Sequence, residues 1–284
     1  MDKTKCELCG GSQLHALEQL PIHLALCKNC GLIFIQNVKP GEFYQDLYTK
    51  NYNFDSVLRK NLSIARWVKK NLGTKGSLKI LEVGCGQGEL LKLFKNDNFD
   101  LWGIEPGQAQ AEIARIKHGL GQVECGFLAN TKHPEKFFDI VLLIQTFEHF
   151  LEPRQSLLKL RSLLQSRGKL FLEVPNACSV VGIYRWGLAP SPNHLFIYTP
   201  ATLKNLLEEC GFKIIKLAKD FLNIRVVAEK TISLGKPKKY KNSPKLFLLI
   251  NFFNKSILKV LYSTKIIEII YRIRSRRNIK IGKN

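Results

Sequence analysis

The spacing of apolar positions changes several times along the chain, and each change marks a predicted element. Apolar residues recur at helical spacing from Leu58 to Leu72, which predicts a helix that ends at the glycines that follow. Short apolar runs at 78–83 and 101–104 predict two strands. A glycine-rich turn and a second helical pattern, at 90–94, lie between these strands. Strand, glycine turn and helix in this order are typical of the start of a doubly wound α/β sheet.

Length and composition place the chain among globular proteins. Its 284 residues are 45% hydrophobic and 24% charged, which excludes wholesale disorder and suits one large domain with a small module. No apolar run reaches the roughly 20 residues that span a bilayer. The first six residues contain no apolar segment, so the sequence predicts no secretory signal peptide. We therefore expect a cytoplasmic protein.

The net charge of +21 is unevenly distributed. After Leu234 the chain carries fourteen basic residues and a single acid, Glu268, and this segment accounts for +13 of the total. An excess of this kind indicates an anionic partner, such as anionic lipid, nucleic acid or an acidic polymer. A solvated basic tail without a partner is the plain alternative.

The last fifty residues also have helical spacing. A basic linker at 235–244 is followed by apolar residues on one helical face, with lysines and arginines off that face. This predicts a basic amphipathic helix that lies on an anionic membrane surface, at the cytoplasmic face. Packing against the enzyme or a second copy, and binding to nucleic acid, remain as alternatives. The apolar face comprises Leu246, Leu249, Ile250, Phe253, Ile257, Val260, Leu261, Ile267 and Tyr271.

Four of the eight cysteines form two close pairs near the N-terminus. Each Cys-x-x-Cys turn directs two thiolates at one ion, and the glycine after the second cysteine relaxes the turn. Seventeen residues separate the pairs, which matches a zinc ribbon. Four sulfurs form a closed shell for a structural Zn²⁺ and leave no open position for catalysis. The predicted ligands are Cys6, Cys9, Cys27 and Cys30, whereas Cys85, Cys125, Cys178 and Cys210 are expected to be buried thiols.

The glycine turn after the first central strand carries the candidate binding chemistry. Residues 84–88 hold three glycines, which let the backbone approach a ligand, and Glu105 at the end of the next strand can bind both ribose hydroxyls. Glu89 stands where the dinucleotide fingerprint has a glycine, which disfavours a nicotinamide dehydrogenase. Glu82, two residues before the first glycine, lies where a ligand's ammonium group could be held.

The glycine turn and the segments after it resemble a known family. Residues 81–88 look like the first motif of class I S-adenosylmethionine-dependent methyltransferases. The resemblance covers about residues 77–230 and implies a Rossmann-like sheet of seven strands with S-adenosylmethionine as cofactor. Further matches lie at 103–106, at 138–150, at 163–176 and at 194–212.

The resemblance also implies cofactor contacts for individual residues. Glu82 would favour the cationic end of the cofactor, and Glu105 would bind its ribose. Phe127 and Leu128, after the third strand, would flank the adenine, with simple packing as the alternative for both. Backbone contacts near the methionine part would come from Gly84, Cys85, Gly86 and Gly88.

Two histidines are candidates for the catalytic base. Glu148 and His149 follow the fourth strand, at the edge of the sheet where ligands bind, and histidine titrates near neutrality. His149 is the first candidate, with loop positioning as its alternative. His194, as base or substrate ligand, lies in an insert at 177–199 that is rich in aromatics and prolines and could cover the pocket. Gln145 and Asn176 are weaker candidates for substrate contact.

These observations favour methyl transfer to a small molecule, at an oxygen or carbon of a sugar-like, polysaccharide-precursor or natural-product acceptor. The cysteine module resembles that of sugar C-methyltransferases, although the chain lacks their further C-terminal domain. An RNA methyltransferase that uses the ribbon and tail for RNA binding is one alternative, and a non-enzymatic scaffold is another. The predicted organisation is a zinc ribbon at 1–38, a linker and helix at 39–76, the methyltransferase domain at 77–230 and the tail at 231–284.

Overall fold

The computed structural model describes residues 4–19, 22–36, 54–72, 76–176 and 193–236. The strands are β1 (Leu14–Gln19), β2 (Ile22–Cys27), β3 (Ile33–Ile35), β4 (Leu78–Val83), β5 (Phe99–Glu105), β6 (Val123–Cys125), β7 (Phe138–Ile144), β8 (Leu164–Pro175), β9 (Phe196–Ile197), β10 (Phe212–Lys219) and β11 (Asn223–Lys230). The helices are α1 (Phe54–Asn71), α2 (Gln108–His118), α3 (Pro153–Leu163) and α4 (Pro200–Glu209). The predicted tail helix and most of the predicted insert lie outside the described residues.

Seven strands form the main sheet in the order β10-β11-β8-β7-β4-β5-β6. The strands from β8 to β6 are parallel, whereas β11 runs antiparallel to both of its neighbours. The prediction of a doubly wound sheet of seven strands is confirmed. Because the carboxyl ends of β4, β5 and β7 meet at one edge, the residues that follow these strands are brought together there.

Alternate residues of the central strands face two separate layers, as the period of a strand requires. Leu81 and Leu143 point into a core that also contains residues of α3, α4 and the N-terminal module. Ile80 and Leu142 point the other way and pack against α1 through residues such as Ile64. The burial of both faces explains why these strands are almost wholly apolar.

Local sequence signals set the ends of two helices. Thr199 begins α4 with a capping box, in which its side chain accepts from the amide of Thr202 and the Thr202 hydroxyl accepts from the amide of Thr199. Helix α2 ends at Gly119, which adopts the left-handed conformation that glycine tolerates best. None of the helices in the described ranges is long and apolar enough to cross a membrane.

A second, smaller sheet has the order β1-β2-β3-β9. Its first three strands belong to the N-terminal module, which contains both cysteine pairs. Its fourth strand comes from the region between β8 and α4, more than 150 residues further along the chain. Ile33 pairs with Ile197 and Phe34 pairs with Phe196. The module is therefore joined to the main domain through a shared sheet.

The structure refines two of the sequence predictions and contradicts one. The helical pattern at 90–94 forms a short 3-10 helix, Leu91–Phe94. Only ten residues, 89–98, lie between the glycine turn and β5, which leaves little room for several α-helical turns. Of the predicted insert at 177–199 the structure describes residues 193–199, where Phe196 and Tyr198 are about 1% exposed and pack in the core. Cys125 is exposed, because it lies at the free edge of β6.

Candidate active site

A cavity of about 720 Å³ opens at the carboxyl ends of β4, β5 and β7. Its volume lies within the range of ordinary small-molecule sites. Seven of the eight residues predicted to bind a cofactor line it, namely Glu82, Gly84, Cys85, Gly86, Glu105, Phe127 and Leu128. The eighth, Gly88, lies outside the cavity wall.

The three glycines of the turn after β4 all have positive φ angles, but a side chain at each position would have different surroundings. Gly86, at φ +54°, faces open space, so a ligand can approach its backbone. A Cβ at Gly84 would lie 2.6 Å from the side chain of Thr146. A Cβ at Gly88 would lie 2.4 Å from Leu120 and 3.1 Å from Ala114 of α2, so this position is needed for packing against α2 and the residues after it. Gly88 thus has a packing role, and the ligand contact expected from its backbone stays a prediction.

Glu105 is held in place by two backbone amides. Its Oε2 accepts from the amide of Gly86, and its Oε1 accepts from the amide of Gly107, each at 2.8 Å. The first of these bonds joins the end of β5 to the glycine turn after β4. Each carboxylate oxygen retains further acceptor capacity, so Glu105 can also bind a pair of hydroxyl groups.

Glu82 lies at the end of β4 with its side chain on the cavity wall and is 4% exposed. Its Oε2 has no hydrogen-bond partner among the described residues. Burial, assisted by the negative charge of Glu105, raises the pKa of Glu82 well above its usual range. A buried carboxylate without a partner reduces the stability of the folded protein, and a cationic ligand at this position would offset that loss. The site therefore fits the ammonium group of an amino-acid moiety.

An apolar surface closes the side of the cavity beyond Glu105. Phe127 is 41% exposed, a high value for a phenylalanine, whereas Leu128 is buried. Both follow β6, as the sequence predicts for residues beside an adenine. A flat heterocycle could stack on the exposed ring, and the glycine turn, two acids and apolar wall together fit S-adenosylmethionine.

His149 lies on the cavity wall, in the short 3-10 helix Phe147–His149 after β7. Its Nδ1 contacts the backbone carbonyl oxygen of Asn193, which can only accept, so Nδ1 carries the proton and Nε2 is left with a lone pair. Burial lowers the pKa of His149, so the ring is neutral at pH 7. His194 packs edge-on against it, with the ring centroids 4.9 Å apart.

Glu148 points away from the cavity into the protein. It is 1% exposed, and neither of its carboxylate oxygens has a hydrogen-bond partner among the described residues. Its Oε1 lies 4.0 Å from Nε2 of His149. Burial raises the pKa of Glu148 to about 8, so the group is largely protonated at neutral pH. The three predicted catalytic residues, Glu148, His149 and His194, are thus brought together, with donor atoms within 4.8 Å of one another.

Two residues of α1 that the sequence analysis did not identify also line the cavity, Lys60 and Asn61. Lys60 Nζ lies 3.6 Å from the buried Glu173, which accepts a closer bond of 2.6 Å from Arg225. Because Arg225 already balances Glu173, Lys60 can offer positive charge to a carboxylate in the cavity. The helical pattern predicted α1 but not which of its faces meets the site.

The two weaker polar candidates differ in position. Gln145 lines the cavity with the unusual φ of +54°, and its side chain donates to Glu173 and Asn223, each at 3.1 Å. Asn176 lies outside the cavity wall, where its side chain donates to the carbonyl oxygen of Asp220 at 2.6 Å.

The cysteine pairs converge at the tip of the N-terminal module. The sulfurs of Cys6 and Cys30 lie 3.4 Å apart, and those of Cys9 and Cys27 lie 3.5 Å apart. All four sulfurs lie within 4.8 Å of one another. Four ligands at about 2.3 Å from a tetrahedral ion are separated by nearly 4 Å, so the arrangement fits Zn²⁺.

Comparison with known proteins agrees with this geometry. The seven-stranded sheet has the fold of the class I S-adenosylmethionine-dependent methyltransferases. A protein-family model described as a methyltransferase domain matches residues 57–217, and the chain belongs to this family of enzymes.

The individual proteins that match this chain have low sequence identity to it. The chain is 24% identical over 204 residues to a ubiquinone biosynthesis O-methyltransferase of Acinetobacter baylyi, covering 63% of this chain and 84% of that protein. It is 28% identical over 104 residues to a protein of the same name from Saccharophagus degradans, covering 34% of this chain and 44% of that protein. The chain thus spans less than half of the Saccharophagus relative. The crystal structure of an S-adenosylmethionine-dependent methyltransferase from Aquifex aeolicus matches with a TM-score of 0.51 and 19% identity, over 69% of this chain and all of that one.

Proposed function

We propose that this protein transfers a methyl group from S-adenosylmethionine to an oxygen of a small-molecule acceptor. The observation that carries the proposal is Glu82, a buried carboxylate with an unpartnered oxygen that lies beside an open glycine turn. Together with Glu105 it gives the cavity one group for an ammonium and one for a pair of hydroxyls. A nucleoside that carries an amino-acid chain matches both.

The chain's own residues would hold the cofactor along the length of the cavity. Glu82 would bind the ammonium group, Lys60 the carboxylate and Glu105 the ribose, and Phe127 would stack on the adenine. Bound in this way, the sulfonium supplies an activated methyl group for in-line transfer. The protein has to align the acceptor and remove its proton.

His149 would remove that proton. It faces the cavity, its ring is neutral at pH 7, and the bond from Nδ1 to Asn193 leaves Nε2 free of a proton. His194 would orient His149, and Glu148 would act through the imidazole because it lies outside the cavity wall. These roles match general base catalysis by histidine near neutral pH.

The acceptor class is supported by the names of the curated relatives, which are O-methyltransferases that act in ubiquinone biosynthesis. We propose a hydroxyl of a sugar-like, polysaccharide-precursor or natural-product acceptor, with carbon methylation as the variant to be tested beside it. The two alternative functions, RNA methylation and a non-enzymatic scaffold, are tested by the same assay.

The N-terminal module would hold one structural zinc ion, and the basic tail would contact an anionic membrane at its cytoplasmic face. The sulfur distances support the first proposal. The charge pattern of residues 235–284 supports the second. Membrane contact would suit an acceptor that is carried on a lipid.

The test is transfer of a labelled methyl group to a panel of hydroxylated sugars, phenols and total RNA. Wild-type protein should label a hydroxylated small molecule, and His149→Asn should lose most of this activity. His23→Asn is the matched control, because His23 is exposed on the N-terminal module. Labelling of RNA alone, or full activity in His149→Asn, would overturn the proposal.

A further inference from the structure

The N-terminal module is connected by backbone pairing to the side of the cavity where His149 lies. In the proposed function this is the acceptor side of the cavity. Strand β3 pairs with β9, and the amide of Ile35 donates to the carbonyl oxygen of Leu195 at 3.0 Å. Phe34 and Phe196, which face each other across this pair, are fully buried with ring centroids 6.4 Å apart. The short strand β9 thus takes its position from the module.

The two residues before Leu195 are the ones that contact the candidate base. Asn193 provides the carbonyl oxygen that accepts from His149, and His194 packs against the same imidazole ring. Two residues after Phe196, Tyr198 stacks on Phe147 with ring centroids 5.1 Å apart. The segment 193–198 therefore fixes both the orientation and the tautomer of His149.

The cysteine turns determine the position of β3. The amide of Cys27 donates to Leu32, and the amide of Gly31 donates back to Cys27, at 2.9 and 2.8 Å. These bonds lie inside the second Cys-x-x-Cys turn and end one residue before β3 begins. A metal ion that fixes the turn would thereby fix the start of β3.

An arginine holds the first cysteine turn against the main domain. Arg154, on α3, donates to the carbonyl oxygen of Leu8 at 2.7 Å and to the carboxylate of Glu209 at 2.6 Å. Leu8 lies between Cys6 and Cys9, and Glu209 is the last residue of α4. Charge-assisted bonds of this kind are among the stronger hydrogen bonds in proteins.

We infer that the four-cysteine module is a positioning element for methyl transfer, which holds segment 193–198, and through it His149, against the acceptor side of the cavity. The inference rests on the proposed function insofar as it assigns His149 to the acceptor. The cofactor side is built differently, since the amide of Gly84 donates to Ile104 of β5 at 2.8 Å. Loss of the module's metal should therefore loosen one side of the cavity and spare the other.

The experiment measures amide hydrogen exchange and histidine NMR signals in the full chain, and it measures S-adenosylmethionine affinity by calorimetry. Wild-type protein is compared before and after removal of its metal by a chelator. A second arm compares Arg154→Met with Arg161→Met. The latter is a matched control on the same helix, because Arg161 donates to the carbonyls of Thr231 and Ile232, which lie after β11 and outside the N-terminal module.

Metal removal and Arg154→Met should each accelerate exchange in segments 33–35 and 193–198 by roughly tenfold or more. The pKa of His149 should rise towards its ordinary value as the ring becomes solvated. Exchange at 78–88 and cofactor affinity should change by less than about twofold, and Arg161→Met should leave segment 193–198 and His149 unchanged.

Unchanged exchange at 193–198 and an unchanged His149 signal would overturn the inference. So would an equal loosening of 78–88 with a parallel loss of cofactor affinity, because that result describes general destabilisation. If the isolated protein contains no metal, or if Arg154→Met does not fold, the other arm decides. Failure of wild-type protein to bind S-adenosylmethionine would instead count against the proposed function, since the exchange measurements do not depend on it.

Discussion

Oε2 of Glu105 accepts a 2.8 Å hydrogen bond from the backbone amide of Gly86. This bond joins two loops that the sequence places nineteen residues apart, one after β4 and one after β5. It sets the carboxylate that would bind a ribose beside the turn whose backbone would meet the methionine part. Backbone amides thus fix the shape of this end of the cavity and hold the Glu105 side chain in place.

The glycines of the turn should respond differently to alanine. Gly86→Ala adds a methyl group on the open side of the turn, so we expect cofactor affinity to fall about tenfold or more. Positive φ at this position should also reduce the free energy of unfolding by roughly 1–2 kcal/mol. Calorimetric titration and thermal unfolding measure the two effects.

Gly88→Ala is the matched comparison. Its methyl group would meet Leu120 at 2.4 Å, so the free energy of unfolding should fall by about 1–3 kcal/mol more than backbone strain alone explains. The variant that remains folded should retain most of its cofactor affinity. Equal losses of affinity in both variants, at equal stability, would contradict the separate roles of the two glycines.

Glu148 should make stability depend on pH. Its folded-state pKa of about 8 lies above the ordinary value for a carboxyl, so the folded protein binds the extra proton between about pH 5 and pH 8. Stability should therefore fall as pH rises through this range, by at most about 1.4 kcal/mol per pH unit from this group. Glu82, which also has a raised pKa, contributes in the same direction.

Glu148→Gln should flatten this dependence, because glutamine carries no proton equilibrium. Denaturant unfolding of both proteins at several pH values between 5 and 8 measures the slopes. Glu112→Gln, at an exposed position on α2, is the control and should keep the wild-type slope. A slope in Glu148→Gln as steep as in wild type would show that Glu148 is ionised in the folded protein.

His149 should govern the acid limb of the methyl-transfer rate. Burial lowers its pKa, so the rate should stay high down to a pH below 6.5 and then fall as the imidazole gains a proton. His149→Asn should reduce the rate by roughly 10²–10⁴-fold and leave cofactor affinity within about twofold. A pH–rate profile and a calorimetric titration measure the two quantities. A profile without an acid limb in wild-type protein would exclude His149 as the base.

The N-terminal module should bind one zinc ion per chain, as measured by elemental analysis of protein purified without added metal. Cys27→Ser, which removes one of the four predicted ligands, should lose most of the metal and unfold at a lower temperature. Cys125→Ser is the control, because this cysteine is exposed and lies far from the cysteine pairs in the chain. Equal metal content in both variants would contradict the proposed ligand set.

Sequence motifs predicted the parts of the site that depend on a few adjacent residues. Glu82 ends one strand and Gly84 and Gly86 follow it, and the chain direction of a parallel sheet alone brings them to the same edge as Glu105. The helix expected at 90–94 is a short 3-10 helix, because length between strands outweighed the apolar spacing. Local patterns thus describe a strand end well and a connection less well.

Features that depend on distant segments were not predictable from spacing. The pairing of β3 with β9 joins residues 33–34 to residues 196–197, and no sequence motif predicts it. Lys60 reaches the cavity because of how α1 packs on the sheet, which a helical pattern does not specify. Phe196 and Tyr198 belong to the predicted insert at 177–199, and the shared sheet places both in the core.

The most direct test of the central claim is calorimetric titration of the full chain with S-adenosylmethionine. We expect binding of one molecule per chain, at least about tenfold weaker binding by Glu105→Ala, and unchanged binding by Glu112→Ala, a change at an exposed position on α2. NAD in large excess should not compete, because the glycine turn lacks the dinucleotide pattern. Folded wild-type protein that fails to bind S-adenosylmethionine, or that binds it equally well in Glu105→Ala, would contradict the account.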